Sequence, residues 1–479
     1  MSIFFKPTDA WAGDFIPFYW QGEYHLFYLK DYRDTALDGG VKDTAGHGEG
    51  TPWWHVSTRD FVHFTDYGEA LPRGRADEQD LYVFTGCVIE REGLFHIYYT
   101  GHNPYFRRNG QPEQAIMHAT STDLRQWTKD PANPILFADA RRYEMHDWRD
   151  PFVFWNADTR QYWMLLAARV KTGPDNRRGC TALAVSDDLQ RWEIREPFWA
   201  PSLYYTHECP DLFRAGEWWY LVYSTFSERH ITHYRMSRTL RGPWRAPDND
   251  SFDGRAFYAA KTASDGQRRF AFGWDPTRTD EKDTGSWNWG GSLVVHEISQ
   301  EGAGRLTVKL PEEIASQFVV AVPARFETQI GQWEVDDGTL TAHAVDSFGY
   351  CRIGQIRPSC CIETTVRFSE STRGCGVMVG SDDLNAYYQI RLEPDRDRIV
   401  LDRWPRPGDE PFMLERPIRL RAGSSVKLSI LKEGSIIVIY VDDRVSLTAR
   451  GYALTGGSCG LFVSEGEAVF TGISLKSAE

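Results

Sequence analysis

Three acidic residues stand in apolar surroundings at separate points of the chain. Asp14 lies in Trp11-Ala12-Gly13-Asp14-Phe15 and Asp150 in Trp148-Arg149-Asp150-Pro151-Phe152. Glu208 lies in Tyr205-Thr206-His207-Glu208-Cys209-Pro210-Asp211-Leu212-Phe213. Carboxyl groups in such settings suit the cleavage of a glycosidic bond. Retaining hydrolysis needs one carboxylate as nucleophile and one carboxylic acid as proton donor, about 5–5.5 Å apart. Apolar surroundings raise the pKa of the donor, whereas polar ones keep the nucleophile ionised. A third acid can grip ring hydroxyls with hydrogen bonds that strengthen as positive charge develops. The trio fits these roles if the strands that carry it converge at one end of a common axis.

Each acid opens a run that reads as a strand: Tyr24-His25-Leu26-Phe27-Tyr28, Phe152-Val153-Phe154-Trp155 and Trp218-Trp219-Tyr220-Leu221-Val222-Tyr223. The first 310 residues are repetitive. Asp60-Phe61-Val62-His63-Phe64, Asp123-Leu124-Arg125-Gln126-Trp127 and Asp188-Leu189-Gln190-Arg191-Trp192 share one pattern, and Thr239 to Trp244 is a degenerate fourth copy. A strand ending in Ser or Thr precedes each copy, at Ser57, Thr120 and Ser186. A period of roughly sixty residues with several strands per unit predicts the blades of a β-propeller, whose radial packing leaves only short edges. A last unit around Phe257, Phe272 and Val294 brings the count to five blades. Asp60, Asp123 and Asp188 read as turn-capping residues because they recur once per unit.

Residues 311–318 read as a short helix-compatible linker, and residues 319–479 as a β-sandwich of regularly spaced short strands. The expected fold is therefore all-β: a five-bladed propeller over 1–310, then a sandwich that packs on it or mediates dimerisation. Polar loops interrupt the units, at 31–51 among others, and such loops carry specificity.

Of 479 residues, 41% are hydrophobic and 18 are Trp, enough for two sizeable cores. The net charge of -13 disfavours nucleic acid and anionic membrane as partners. No apolar run approaches a membrane span, and the N-terminus lacks the pattern of a secretory leader. The eight scattered cysteines form no CxxC pair and are read as reduced thiols of a cytoplasmic protein.

The motifs resemble those of glycoside hydrolase family 32, the invertases and fructanases, over nearly the whole length. That family carries a Trp-Met-Asn-Asp-Pro-Asn-Gly box, an Arg-Asp-Pro triplet and a Glu-Cys dipeptide. Here they correspond to Trp11 through Pro17, Arg149-Asp150-Pro151 and Glu208-Cys209. Phe84-Thr85-Gly86-Cys87 matches its Phe-Ser-Gly-Ser motif, Trp53-Trp54-His55 loosely its Trp-Gly-His segment, and Phe257-Tyr258-Ala259 and Gly273-Trp274 its fifth-blade segments. The resemblance implies Asp14 as nucleophile, Glu208 as acid/base and Asp150 as transition-state stabiliser. It implies that Arg149 orients these carboxylates, and that Trp54, Phe84, Thr85 and Trp274 line the sugar subsite. It further implies an exo-acting β-fructofuranosidase working on small saccharides without a cofactor. A hydrolase of another furanoside, a fructosyl transferase and a non-catalytic sugar-binding propeller are the alternatives.

The chain departs from the family at Gly13, which replaces Asn, at Phe15-Ile16-Pro17, and at Leu29, which replaces Gln. Two amides that would bond a fructosyl unit are thus replaced, and unpaired hydroxyls in a closed site cost of order 1–3 kcal/mol each. Groups from the 31–51 loop are expected to compensate, or the substrate differs from sucrose or inulin. His146, Asp147, His207 and Glu208 show no metal-ligand spacing and are read as packing or supporting residues. Cys209 reads as a small buried neighbour that helps dry Glu208.

Overall fold

The computed structural model describes residues 2–32, 49–380, 384–410, 412–454 and 457–478. Its first part is five antiparallel blades. Blade I comprises β1 (Trp11–Trp20), β2 (Glu23–Asp31), β3 (Trp53–Thr58) and β4 (Phe64–Leu71). Blade II comprises β5 (Tyr82–Arg91), β6 (Leu94–His102), β7 (Gln114–Ser121) and β8 (Thr128–Lys129). Blade III comprises β9 (Tyr143–Asn156), β10 (Gln161–Val170), β11 (Gly179–Ser186) and β12 (Glu193–Ile194). Blade IV holds β13 (Glu208–Ala215), β14 (Trp218–Thr225) and β15 (Ile231–Ser237), its fourth edge reduced to bridges such as Met236 to Arg245. Blade V holds β16 (Tyr258–Ser264), β17 (Arg269–Arg278), β18 (Trp287–Glu301) and β19 (Arg305–Lys309). The ring closes where β1 pairs with β18 at Ala12 and Gly291, joining first and last blades in one sheet.

The packing follows from the two-residue period of a strand. In β10, Met164, Leu166 and Ala168 enter a core shared with Tyr98 and Ile116 of blade II. The alternate residues Trp163 and Leu165 enter a different core, with Leu221 and Tyr223 of blade IV. A central strand is therefore apolar on both faces, because each face meets a neighbouring blade.

The repeated aspartates cap turns between third and fourth strands. One oxygen each of Asp60, Asp123 and Asp188 accepts two backbone N–H groups, at 2.7–3.0 Å. The next residue in each copy, Phe61, Leu124 or Leu189, takes positive φ.

After α1 (Glu312–Ala315) the chain enters the sandwich. Its long last strand, Gly457–Ser477, pairs through residues 458–464 with Gly374–Gly380 and through 468–477 with Ser359–Phe368, linking the two layers. The strand Ile436–Val441 packs Ile436, Val438 and Tyr440 into the core of blades I and V. A polar seam accompanies this contact. Asp253 of the propeller accepts hydrogen bonds from Ser446 Oγ, Thr448 Oγ1 and the Thr448 amide, all in the sandwich, and contacts His296 Nε2 at 2.9 Å. Burial alone would raise the Asp253 carboxyl, but these donors hold it well below the usual range.

Candidate active site

The innermost strands β1, β5, β9, β13 and β16 surround the hub, and each carries an irregularity in its pairing. In four of them two residues oppose one on the neighbouring strand, and the first of the two takes left-handed φ: Asp14 (48°), Asp150 (58°), Cys209 (49°) and Ala259 (49°). In β5 the extra residue is Thr85. A bulge of this kind turns a side chain out of the regular alternation, and side chains from these positions meet at the hub. A positive φ is uncommon for residues other than Gly and Asn, and such strain concentrates at functional sites. The acids were expected at the head of the runs beginning near Tyr24, Phe152 and Trp218. Two of those runs are second strands, whereas Asp14 and Glu208 lie one strand earlier, on β1 and β13.

The three acids converge. Asp14 Oδ2 accepts a 2.5 Å hydrogen bond from Thr85 Oγ1, and its Oδ1 accepts one of 3.0 Å from Trp274 Nε1. Asp150 is buried; its Oδ2 accepts the Cys209 amide at 2.9 Å, and its own amide donates to Thr100 Oγ1 at 2.8 Å. Glu208 Oε1 takes Arg149 Nη2 at 3.0 Å and Oε2 takes the Tyr258 hydroxyl at 2.5 Å. Arg149, Glu208 and Tyr258 each precede their blade's bulge, so one bonded set comes from three adjacent blades.

Electrostatics match this crowding. Burial pushes Asp14 up to about 7, opposed by the Thr85 and Trp274 bonds and reinforced by the charges of Asp150 and Glu208. Burial also raises Glu208, opposed mainly by Arg149. The Arg149 guanidinium faces Asp147, Asp150 and Glu208, and the charge of Asp150 acts on both Asp14 and Glu208 to favour retention of a proton.

Of the other residues expected at the site, Trp54 is half-buried and donates to Asp66 Oδ1 at 2.8 Å, with Lys30 Nζ 3.9 Å from its ring. Phe84 stacks on His102, with centroids 4.5 Å apart. Neither has a bond to the three acids among the described contacts. His146 lies near Glu113, and His207 is buried against Trp199 and Tyr223. Among the described residues no group of three potential metal ligands occurs. Cys209 is buried and uses its backbone amide on Asp150.

Sequence reasoning assigned neither Tyr258 nor Trp289 to the site. Tyr258 lay inside the matched Phe257-Tyr258-Ala259 segment, the signal that could have found it. Trp289 explains Gly13: a Cβ at residue 13 would lie 2.6 Å from the Trp289 indole. The indole therefore occupies the space beside Asp14 that an Asn side chain would need. Leu29 pairs with Gly13 across the sheet and is buried in the core between blades I and II. Residues 33–48 of the loop expected to compensate lie outside the described residues. A groove of about 950 Å³ lies on the sandwich, lined by Tyr387, Arg391 and Phe412 among others, remote in the fold from the three acids.

Residues 4–307 match the family model described as "Glycosyl hydrolases family 32 N-terminal domain". A sucrose-6-phosphate hydrolase of Zymomonas mobilis is 25% identical over 97% of this chain and 89% of its own length. An insoluble β-fructofuranosidase isoenzyme of Arabidopsis thaliana is 26% identical over 64% of this chain, a match spanning 56% of that enzyme. The fold is that of the exo-inulinase of Aspergillus awamori, with TM-score 0.72, 18% identity, and 99% and 97% of the two chains covered.

Proposed function

The chain belongs to glycosyl hydrolases family 32 and is a glycosidase of fructosides; from that premise we propose that it releases terminal β-fructofuranosyl units from short saccharides with retention. The observation that carries this reading is the meeting of Asp14, Asp150 and Glu208 at one end of the hub, with Arg149 and Tyr258 holding Glu208. Asp14 attacks the anomeric carbon while Glu208 gives its proton to the leaving oxygen. The bond to the leaving group breaks, and the fructosyl unit is held covalently on Asp14. Glu208, now a carboxylate, takes a proton from water as the water displaces Asp14, which restores both groups. Asp150, fixed by the Cys209 amide, offers its second oxygen to ring hydroxyls. The reactive form carries one proton on the pair, placed on Glu208. The Thr85 and Trp274 donors stabilise the ionised oxygens of Asp14, and Arg149 and the Tyr258 hydroxyl do the same for Glu208, so approach of the leaving oxygen to Glu208 selects the reactive form. The propeller over 1–310 carries this chemistry, with 311–318 as linker and 319–479 as a supporting sandwich.

The test is Glu208→Gln, with a fold check by circular dichroism. We expect turnover of saccharides to fall by about 10²–10⁴ and, on exposure to a fructosyl fluoride, whose leaving group needs no proton, a mass gain of one hexosyl unit on the peptide containing Asp14. Unchanged turnover would remove Glu208 from the mechanism, and a label elsewhere would remove Asp14.

The replacement of an amide by Gly13 beneath Trp289 favours one second reading, hydrolysis of a different furanoside. Identification of the monosaccharide released from sucrose, short fructans, difructose anhydrides and aryl arabinofuranosides decides between them.

A further inference from the structure

Trp274 reaches Asp14 from a strand whose other face is held by the sandwich. Successive residues of β17 point to opposite faces. The Trp274 indole turns to the hub, where its Nε1 donates to Asp14 Oδ1, and the Asp275 side chain turns to the sandwich. There it meets Arg450, the last residue of the sandwich strand Val445–Arg450, and both side chains are buried. Arg450 Nε lies 2.9 Å from Asp275 Oδ2 but off the line of a hydrogen bond, and neither carboxyl oxygen of Asp275 has a hydrogen-bond partner among the described residues. The carboxyl is thus held by charge alone: burial pushes it up to about 7, opposed first by Arg450.

The hydrogen bonds of the guanidinium go elsewhere. Arg450 Nη2 donates to the Asp275 backbone carbonyl at 3.2 Å and to Ser292 Oγ of β18 at 2.9 Å, and Nη1 donates to Ser435 Oγ of the sandwich at 3.0 Å. The fork therefore bridges β17 and β18 where Asp275 pairs with Ser292. The neighbouring Gly291 pairs with Ala12 of β1, two positions before Asp14. Packing at this point is close, since a Cβ on Gly291 would lie 1.7 Å from the Asp275 carbonyl oxygen. Beyond it the ladder weakens: Pro276 has no amide to give, and the pairing with β18 shifts between Pro276 and Arg278. The sandwich takes over there as well, the Tyr452 hydroxyl accepting the Arg278 amide at 3.1 Å. Residues 450–452 thus grip the end of the strand that carries Trp274. A hydrogen bond weakens steeply when its donor tilts off line, so the strand end that sets the direction of the indole also sets how well Nε1 meets Asp14.

We propose that Arg450, a sandwich residue, is a positioning residue for Asp14: its fork on the Asp275 carbonyl and the Ser292 hydroxyl fixes the end of β17, which keeps the Trp274 indole aligned on the carboxylate. The effect on the reaction rests on the role of Asp14 proposed above; the effect on the indole does not.

Arg450→Lys keeps a charge beside Asp275 and removes the fork, whereas Arg450→Met removes both. Two readouts are followed in the full chain, at a temperature where circular dichroism shows it folded; if Arg450→Met does not fold, Arg450→Lys decides alone. The indole N–H resonance of Trp274, assigned in isotope-labelled protein by its loss in Trp274→Phe, is expected to move upfield as the bond to Asp14 weakens. The acid limb of the kcat/KM profile is expected to move up by about half to one pH unit, because Trp274 is one of the donors that pull Asp14 down. A loss of stability with resonance and limb both as in the parent overturns the proposal, and so does a moved limb with an unmoved resonance. A moved resonance with an unmoved limb upholds the grip of Arg450 on Trp274 and counts against the proposed part of Asp14 in the reaction.

Discussion

Thr85 shows how a single hydroxyl sets the working range of the site. Its 2.5 Å bond to Asp14 is the largest influence pulling that carboxyl down against burial. Thr85→Val keeps the volume and removes the donor, so Asp14 binds its proton more tightly. The acid limb of the bell-shaped kcat/KM profile, set by ionisation of Asp14, is then expected to move to higher pH, and the maximum to fall by about tenfold. A profile that stays in place or moves to lower pH would contradict this account of Asp14. At this scale the sequence was informative about identity and silent about partners. Asp14, Asp150 and Glu208 stood out as isolated acids in motifs, and Thr85, Arg149 and Trp274 came through the resemblance. Tyr258 and Trp289 did not, because nothing in a tyrosine or tryptophan marks it as facing a hub rather than a core.

Among the elements, the propeller strands were readable from alternation and from the repeated aspartate turns, which cap as their spacing implied. The bulges were not readable, since an inserted residue leaves no trace in composition and non-glycine residues occupy the left-handed positions. That is why the acids were attached to the wrong strand of blades I and IV. The same local geometry accounts for Gly13. Gly13→Asn, which restores the family's amide, must displace the Trp289 ring; the expectation is a loss of at least about tenfold in kcat/KM. Combining it with Trp289→Ala frees the space, and part of the activity should return, so the two substitutions couple non-additively. Strict additivity would show that Trp289 does not exclude the amide.

For the whole molecule, five units and a following sandwich could be counted from repeats and turn signals, but the seam between them could not. Its residues are ordinary polar side chains until Asp253 is seen bonded to Ser446 and Thr448. Asp253→Ala leaves those donors and His296 buried without an acceptor, and is expected to cost about 3–5 kcal/mol, read from the denaturant midpoint at neutral pH. Because the native carboxyl is held below its unfolded value, the stability it contributes is present above that value and lost as pH falls through the folded one. The difference between variant and parent should therefore narrow in acid. The five bulged strands have a consequence of their own. Four blades hold out a hub residue on the same left-handed kink and the second holds out Thr85 on a single inserted residue, so the ring behaves like a socket with five pins. The pin at Ala259 bears no functional group, and new chemistry could be installed there by a single substitution, with strand register, loops and the other four pins left as they are.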